Sequence, residues 1–226
     1  MNRETVRALC QLNTEFYERN AASFSQTRTA PWEGWRRCMA ACGFDDSDEA
    51  LGQSMDTQIA DSVLDIACGN LRFEAFLANT YPHVDWSFFA VDNCEPLVAS
   101  SQEGITKKVH FTCEDIVSNL IEGLPAAEPA NIPALAAATP FDLVVSFGFM
   151  HHIPSFNLRL QFLLEALNQV KPGGYLAVSF WQFLNDPAKR AKIEQTHADA
   201  LVFFSGCLEA HANDKDALDR GAGRDR

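Results

Sequence analysis

The sequence predicts an α/β protein built on a doubly wound, mostly parallel sheet, with five strands and an N-terminal helical cap. Three observations carry this. From residue 62 on, short apolar runs alternate with amphipathic stretches at helical spacing. The first three runs each end at an acid: Asp65, Asp92 and the pair Glu114-Asp115. A glycine-containing turn follows the first run, as a strand-to-helix connection requires. Strands separated by helices pair in parallel through right-handed crossovers, with helices on both faces.

The elements follow in order. Val6, Leu9, Cys10, Phe16 and Tyr17 recur at helical spacing and predict a first helix. Residues 22–32, ASFSQTRTAPW, read as a polar loop ended by proline. A second helix passes through Trp35 and Met39 and stops near Gly43. Residues 1–58 therefore read as a helical cap with its linker, and residues 59–208 as the main domain. In that domain the strands are 63–67, 86–91, 109–113, 141–147 and 175–180. Phe73, Phe76 and Leu77 mark the inner face of the helix after the first strand. A helix over 158–170 offers Leu160, Leu163, Leu164 and Leu167 as buried positions, and Lys171-Pro172-Gly173-Gly174 stops it. Residues 123–140 hold four prolines and read as a surface loop, and residues 209–226 as a disordered tail.

Composition narrows the function. The 226 residues are 47% hydrophobic and carry a net charge of −12, enough apolar side chains for a core and too acidic for a global field that attracts nucleic acid. The acidity is concentrated over residues 59–140, with eleven acids against three bases. No apolar run approaches the ~20 residues of a membrane span, and the N-terminus lacks the apolar stretch of a signal peptide, so a cytoplasmic protein is expected, with no membrane and no DNA partner. The seven cysteines (10, 38, 42, 68, 94, 113 and 207) are irregularly spaced with no CxxC, which reads as reduced thiols rather than a disulfide framework or a metal site.

In an open α/β sheet a ligand binds beyond the carboxyl ends of the strands, where the strand order reverses. Three acids at such ends suit a ligand with several hydroxyls and amines. The first turn, Asp65-Ile66-Ala67-Cys68-Gly69-Asn70-Leu71, is not the GxGxxG dinucleotide fingerprint. Its internal acid would repel a pyrophosphate but suits an amino-acid moiety. Asp92, with Asn93 beside it, stands where an acid that grips ribose hydroxyls belongs, and Glu114, Asp115 and Ile116 would meet an adenine. Amino acid, ribose and adenine together describe S-adenosylmethionine.

At these residues the sequence resembles the class I S-adenosylmethionine-dependent methyltransferases, whose fold is Rossmann-like. VLDIACG (63–69) resembles their first motif, AVD (90–92) the second-strand acid, and FDLVVSFGFMHHI (141–153) the fourth-strand motif; VKPGGYLAVS (170–179) resembles the segment that follows. Phe16-Tyr17 followed by FSQTRTAPW (24–32) is similar to the cap of a subgroup that includes wobble-uridine tRNA methyltransferases and bacterial relatives. The resemblance implies that Tyr17 and Arg28 approach the methionine carboxylate, that Ala67 and Gly69 line the cofactor turn, and that the sheet normally ends in an antiparallel hairpin that no segment here matches. Ala67 and Leu71 stand where that family has glycine.

Methyl transfer needs alignment, and a base only for a weakly acidic acceptor. His151 and His152 are the base candidates, and Phe147, with Phe149 and Met150, an apolar wall near the methyl group. The charge favours a small-molecule acceptor, methylated on oxygen or nitrogen. Two alternatives stand: a tRNA wobble-uridine carboxymethyl ester methyltransferase, for which Arg36, Arg37, Lys189, Arg190 and Lys192 would supply phosphate contacts, and a catalytically silent cofactor- or partner-binding relative.

Overall fold

A computed structural model describes residues 3–44, 62–101, 104–124, 140–182, 185, 187, 188, 190 and 191. The chain divides into two units, Met1–Phe180 and Trp181–Arg226, and all the regular elements described below lie in the first. Residues 45–61, 125–139 and 192–226 lie outside the described residues, and with them the expected linker, most of the expected loop and the expected tail.

The first unit begins with two helices, α1 (Arg3–Gln26) and α2 (Glu33–Ala41). Helix α1 runs through Ser23–Gln26, where the sequence reads as loop. The extra turn is held by tertiary contacts: Phe24 and Ala21 cluster with Cys94 and Leu97, and Ser25 Oγ bonds Ser100 Oγ at 2.6 Å. The sheet then builds as β1 (Ser62–Ile66), α3 (Arg72–Thr80), β2 (Ser87–Asp92), α4 (Glu95–Ala99), β3 (Val109–Cys113), α5 (Ile116–Glu122), β4 (Phe141–Ser146), α6 (Phe156–Asn168) and β5 (Val170–Val178). All five strands are parallel in the order β3-β2-β1-β4-β5, so the order reverses between β1 and β4.

The core lies in two layers, as alternating strand residues require. On one face Leu64, Ile66, Phe89, Val91 and Val144 meet α5 and α6 through Ile116, Leu120, Phe162 and Ala166. On the other, Val63, Phe88, Leu143 and Val145 meet α2 and α3 through Trp35, Met39, Phe73, Phe76 and Leu77. The cap helix α2 thus closes a sheet face. Three of the four leucines expected to be buried on α6 face outward: Leu160, Leu164 and Leu167 are exposed, whereas Phe162 and Ala166 are buried.

Polar ties fix β4 at both ends. Asp142 accepts hydrogen bonds from Ser62 N and Ser62 Oγ and pairs with Lys171. The buried Ser146 Oγ donates to Ile66 O at 2.8 Å. The KPGG segment, expected to precede the last strand, is part of β5, which shifts register against β4 between Phe141 and Leu143. A Cβ at Gly174 would lie 2.6 Å from Asp142 O, so glycine is what lets the two strands approach there. No described helix is long and apolar enough to cross a membrane.

Candidate active site

The turn after β1 is closed by hydrogen bonds to the end of β2. Ala67 N and Cys68 N both donate to Val91 O, at 2.8 and 3.2 Å. Asp92, nine-tenths buried, accepts from Gly69 N at 2.9 Å through Oδ2 and from Cys94 N at 2.8 Å through Oδ1. Asp92 therefore joins the two strand ends, and the amide of Asn93 acts on the same carboxylate. Burial raises its pKa, which its amide partners oppose. Ala67, Gly69 and Leu71 all take positive φ (69°, 58° and 53°), so the backbone follows a left-handed path that only the middle residue adopts without strain. Leu71 remains there because its side chain is wholly buried among Cys68, Ala75, Ala90, Val98 and Ile105. A Cβ at Gly69 would meet nothing within 4 Å, so open space lies beside the turn.

Under the turn lies a feature that the sequence reading missed. Asp65 is 3% exposed and Glu74, on α3, is wholly buried. No donor among the described residues reaches Asp65 Oδ1 or either Glu74 oxygen when both are ionised. The two carboxyls act on each other, and protonation relieves the conflict. Burial, first, then Glu74 and Asp92 push Asp65 well above the carboxylate range, and burial lifts Glu74 to about 8. A carboxylate on the buried face of an otherwise apolar helix was the signal available in the sequence.

The cap reaches this turn from the other side. Arg28 lays its guanidinium over the Phe24 ring, 3.8 Å from its centroid, and donates to Thr27 Oγ1. Its carbonyl accepts from Asn70 Nδ2 at 3.4 Å. Arg72 donates to Ala30 O at 3.1 Å and lies over Trp32 and Trp35. Tyr17 feels both Arg28 and Asp92, although burial is the main cause of its raised pKa. Asn93 Nδ2 donates to Thr14 Oγ1 of α1 at 3.1 Å. Asp65, Ala67, Gly69, Asp92 and Asn93 thus lie at the β1 and β2 ends, with Tyr17 of α1 and Arg28 just after it reaching the same turn.

The remaining expected residues are placed differently. Asp115 caps α5, accepting from Ser118 N at 3.0 Å and Ser118 Oγ at 2.8 Å. Ile116, the first residue of α5, is buried in the core. Glu114 Oε2 accepts from Asn119 Nδ2 at 3.4 Å, and Glu114 N donates to Asp92 O, which keeps this residue at the β2 end. Phe147 packs on Phe73, Trp35 and Trp32, with ring centroids 5.0, 5.8 and 6.4 Å away, within the α2–α3 aromatic cluster. His151 is exposed and His152 half-buried, with ring centroids 3.9 Å apart. Both ring nitrogens of His152 face α1: Nδ1 lies 2.9 Å from Asn13 Nδ2 and Nε2 3.1 Å from Tyr17 Oη. Burial, then His151, lowers His152 to about 4; burial, then Arg159, lowers His151.

Comparison with known families decides the class, since a methyltransferase domain model matches residues 64–178, half of the chain. The chain belongs to the methyltransferase domain family. This is the family of S-adenosylmethionine-dependent methyltransferases that the motifs resemble. Its match begins inside β1 and ends at β5, so it contains the turn, Asp92 and the histidine pair. The chain is 23% identical over 188 residues to the tRNA (carboxymethyluridine(34)-5-O)-methyltransferase of Schizosaccharomyces pombe, covering 83% of this chain and 65% of that protein. Similar solved structures include the DhpI–SAH complex (17% identity, TM-score 0.47, 77% of this chain and 72% of that one). Another is a TehB-like SAM-dependent methyltransferase from Corynebacterium glutamicum (15%, TM-score 0.45, 81% and 83%).

The turn fits such a cofactor. It offers open space at Gly69, the buried carboxylate of Asp92 as an acceptor, and a tyrosine and an arginine on the cap. These donors and acceptors suit ribose hydroxyls and an amino-acid end.

Proposed function

We propose that this methyltransferase domain transfers the methyl group of S-adenosylmethionine to a small-molecule acceptor through oxygen or nitrogen, in the cytoplasm. The observation that carries the reading is Asp92, held buried and bidentate to the amides of Gly69 and Cys94 beside open space. Asp92 with Asn93 would hold the ribose, Gly69 and Ala67 would border the amino-acid end, Tyr17 and Arg28 would meet its carboxylate, and Glu114 would stand at the adenine end. Asp115 and Ile116 would act there through the start of α5, which they cap and anchor.

The cofactor, when bound, supplies an activated methyl group on a sulfonium. The protein supplies position. The apolar Trp32, Trp35, Phe73 and Phe147 cluster excludes water from one flank of the opening. His152 spends both nitrogens on α1, so a base, where the acceptor requires one, would be His151. An acceptor that is already an anion requires none.

A tRNA acceptor is the second reading, supported by the fission-yeast relative, which is named for a carboxymethyluridine of tRNA. Calorimetry with S-adenosylmethionine tests the cofactor. Release of S-adenosylhomocysteine on a panel of small acceptors and bulk tRNA tests the rest. Turnover on small acceptors supports the first reading. Turnover on tRNA alone, falling steeply with salt, replaces it with the second. Tight cofactor binding with no turnover on any member of the panel overturns both acceptor readings.

A further inference from the structure

Helix α1 buries little apolar surface: of its 24 residues only Val6, Ala21 and Ser25 are buried. Polar contacts hold it instead. Arg3 donates to Ile121 O at 2.8 Å, Arg7 pairs with Glu122, Thr14 bonds Asn93, and Ser25 bonds Ser100. In the short helical turn after β4 (Met150–His152), one side chain receives two residues of α1: His152, between Asn13 and Tyr17.

The chemistry of this contact is directional. An amide nitrogen of Asn13 donates to Nδ1, which must then lack a proton. The imidazole proton is therefore on Nε2, and it is donated to Tyr17 Oη. With its oxygen occupied in this way, the Tyr17 hydroxyl is left to donate its own proton elsewhere. The ring is held besides by edge-on contact with Tyr17 and by Phe149. Arg28 and Asp92, the charged groups that act on Tyr17, stand at the cofactor turn.

We infer that His152 is a positioning residue rather than a base: its imidazole clasps Asn13 and Tyr17, fixes α1 over the strand ends and turns the Tyr17 hydroxyl into a directed donor toward the cofactor. The inference rests on the proposed cofactor reading. It also gives the second histidine of the HH pair a task different from that of the first. His151 is exposed and lies tilted against His152, outside the contact of His152 with Asn13 and Tyr17.

A cycle of Tyr17→Phe, His152→Ala and the double variant tests it, with cofactor affinity, turnover at saturating cofactor and hydrogen exchange of α1 amides measured on the full chain. Each single variant is expected to weaken S-adenosylmethionine binding about tenfold, the scale of one hydrogen bond. The double variant should be no weaker than the singles, because the two side chains act as one unit. His152→Gln, which keeps an amide donor for Tyr17, should recover part of the loss. Exchange over α1 should quicken in His152→Ala even without cofactor, a readout independent of the cofactor reading. Multiplied losses in the double variant overturn the inference. So does a hundredfold fall in saturated turnover with unchanged cofactor affinity, which marks a base. Unchanged α1 exchange overturns the clasp itself. A wild-type chain that binds neither S-adenosylmethionine nor S-adenosylhomocysteine overturns the cofactor reading, and the exchange result then decides the clasp alone.

Discussion

Ala67 holds a φ of 69° with only a methyl group to show for it. A left-handed conformation costs an L-residue about 1–2 kcal/mol, and glycine's extra freedom in the unfolded chain costs about 0.5–1. Ala67→Gly is therefore expected to stabilise the fold by about 0.5–1 kcal/mol, read as a higher urea midpoint. Leu71 has the same backbone problem with the opposite answer. Its side chain is 0% exposed, so Leu71→Ala should cost about 2–5 kcal/mol despite any backbone relief. The sequence shows that both positions depart from the family's glycines. It does not show that one side chain is a half-buried methyl at the edge of the core and the other is wholly packed. Glu74 makes the residue scale pH-dependent. Its carboxyl binds a proton more tightly folded, at about 8, than at the ordinary 4.5. Its contribution is thus fully present below 4.5 and is lost as the pH rises through about 8. Wild-type stability should fall over that window, and Glu74→Gln should flatten the fall. A wild-type urea midpoint that rises with pH there would contradict a protonated Glu74.

At the scale of elements, strand placement and the inner face of α3 (Phe73, Phe76 and Leu77) were legible, and the facing of α6 was not. Each strand run was bounded by an acid, glycine or proline; the first four strands fall within one residue of expectation, and β5 begins five residues early because it takes in Lys171–Gly174. Helix α6, FNLRLQFLLEALN, is apolar on nearly every side. Its periodicity admits more than one inner face, and the four leucines suggested the wrong one. Contact with the sheet selects Phe162 and Ala166 instead. Phe162→Ala should cost about 3–5 kcal/mol and Leu164→Ala less than about 1, compared by denaturant unfolding. The end of α1 was missed for a related reason. Ser23 to Gln26 has no strong helical signal of its own, and its packing partners Ser100 and Cys94–Leu97 are some 70 residues away. The irregular join at Gly174 was likewise invisible, since the carbonyl it must avoid belongs to Asp142 on another strand.

For the molecule as a whole, the carboxylates at the strand ends were the readable part of the site. Asp65 and Asp92 converge because β1 and β2 are parallel neighbours in register, with Asp65 opposite Ala90. Asp115 was readable as an acid but not as a helix cap, because the serine three residues on decides that role. The histidine pair was readable as a motif, whereas its partner helix lies 135 and 139 residues earlier in the chain. Cofactor binding to the folded state alone should raise the melting temperature of the whole chain with increasing ligand, by mass action. An unchanged melting temperature at millimolar S-adenosylmethionine would count against the site.

The sparse apolar footing of α1 has a practical corollary. A segment fastened chiefly by surface charges and hydrogen bonds parts from its support well before the sheet unravels. In moderate urea a protease should clip the first two dozen residues and leave a resistant fragment that starts at or beyond the second helix. Saturating ligand should slow that cleavage more than any other cut in the chain.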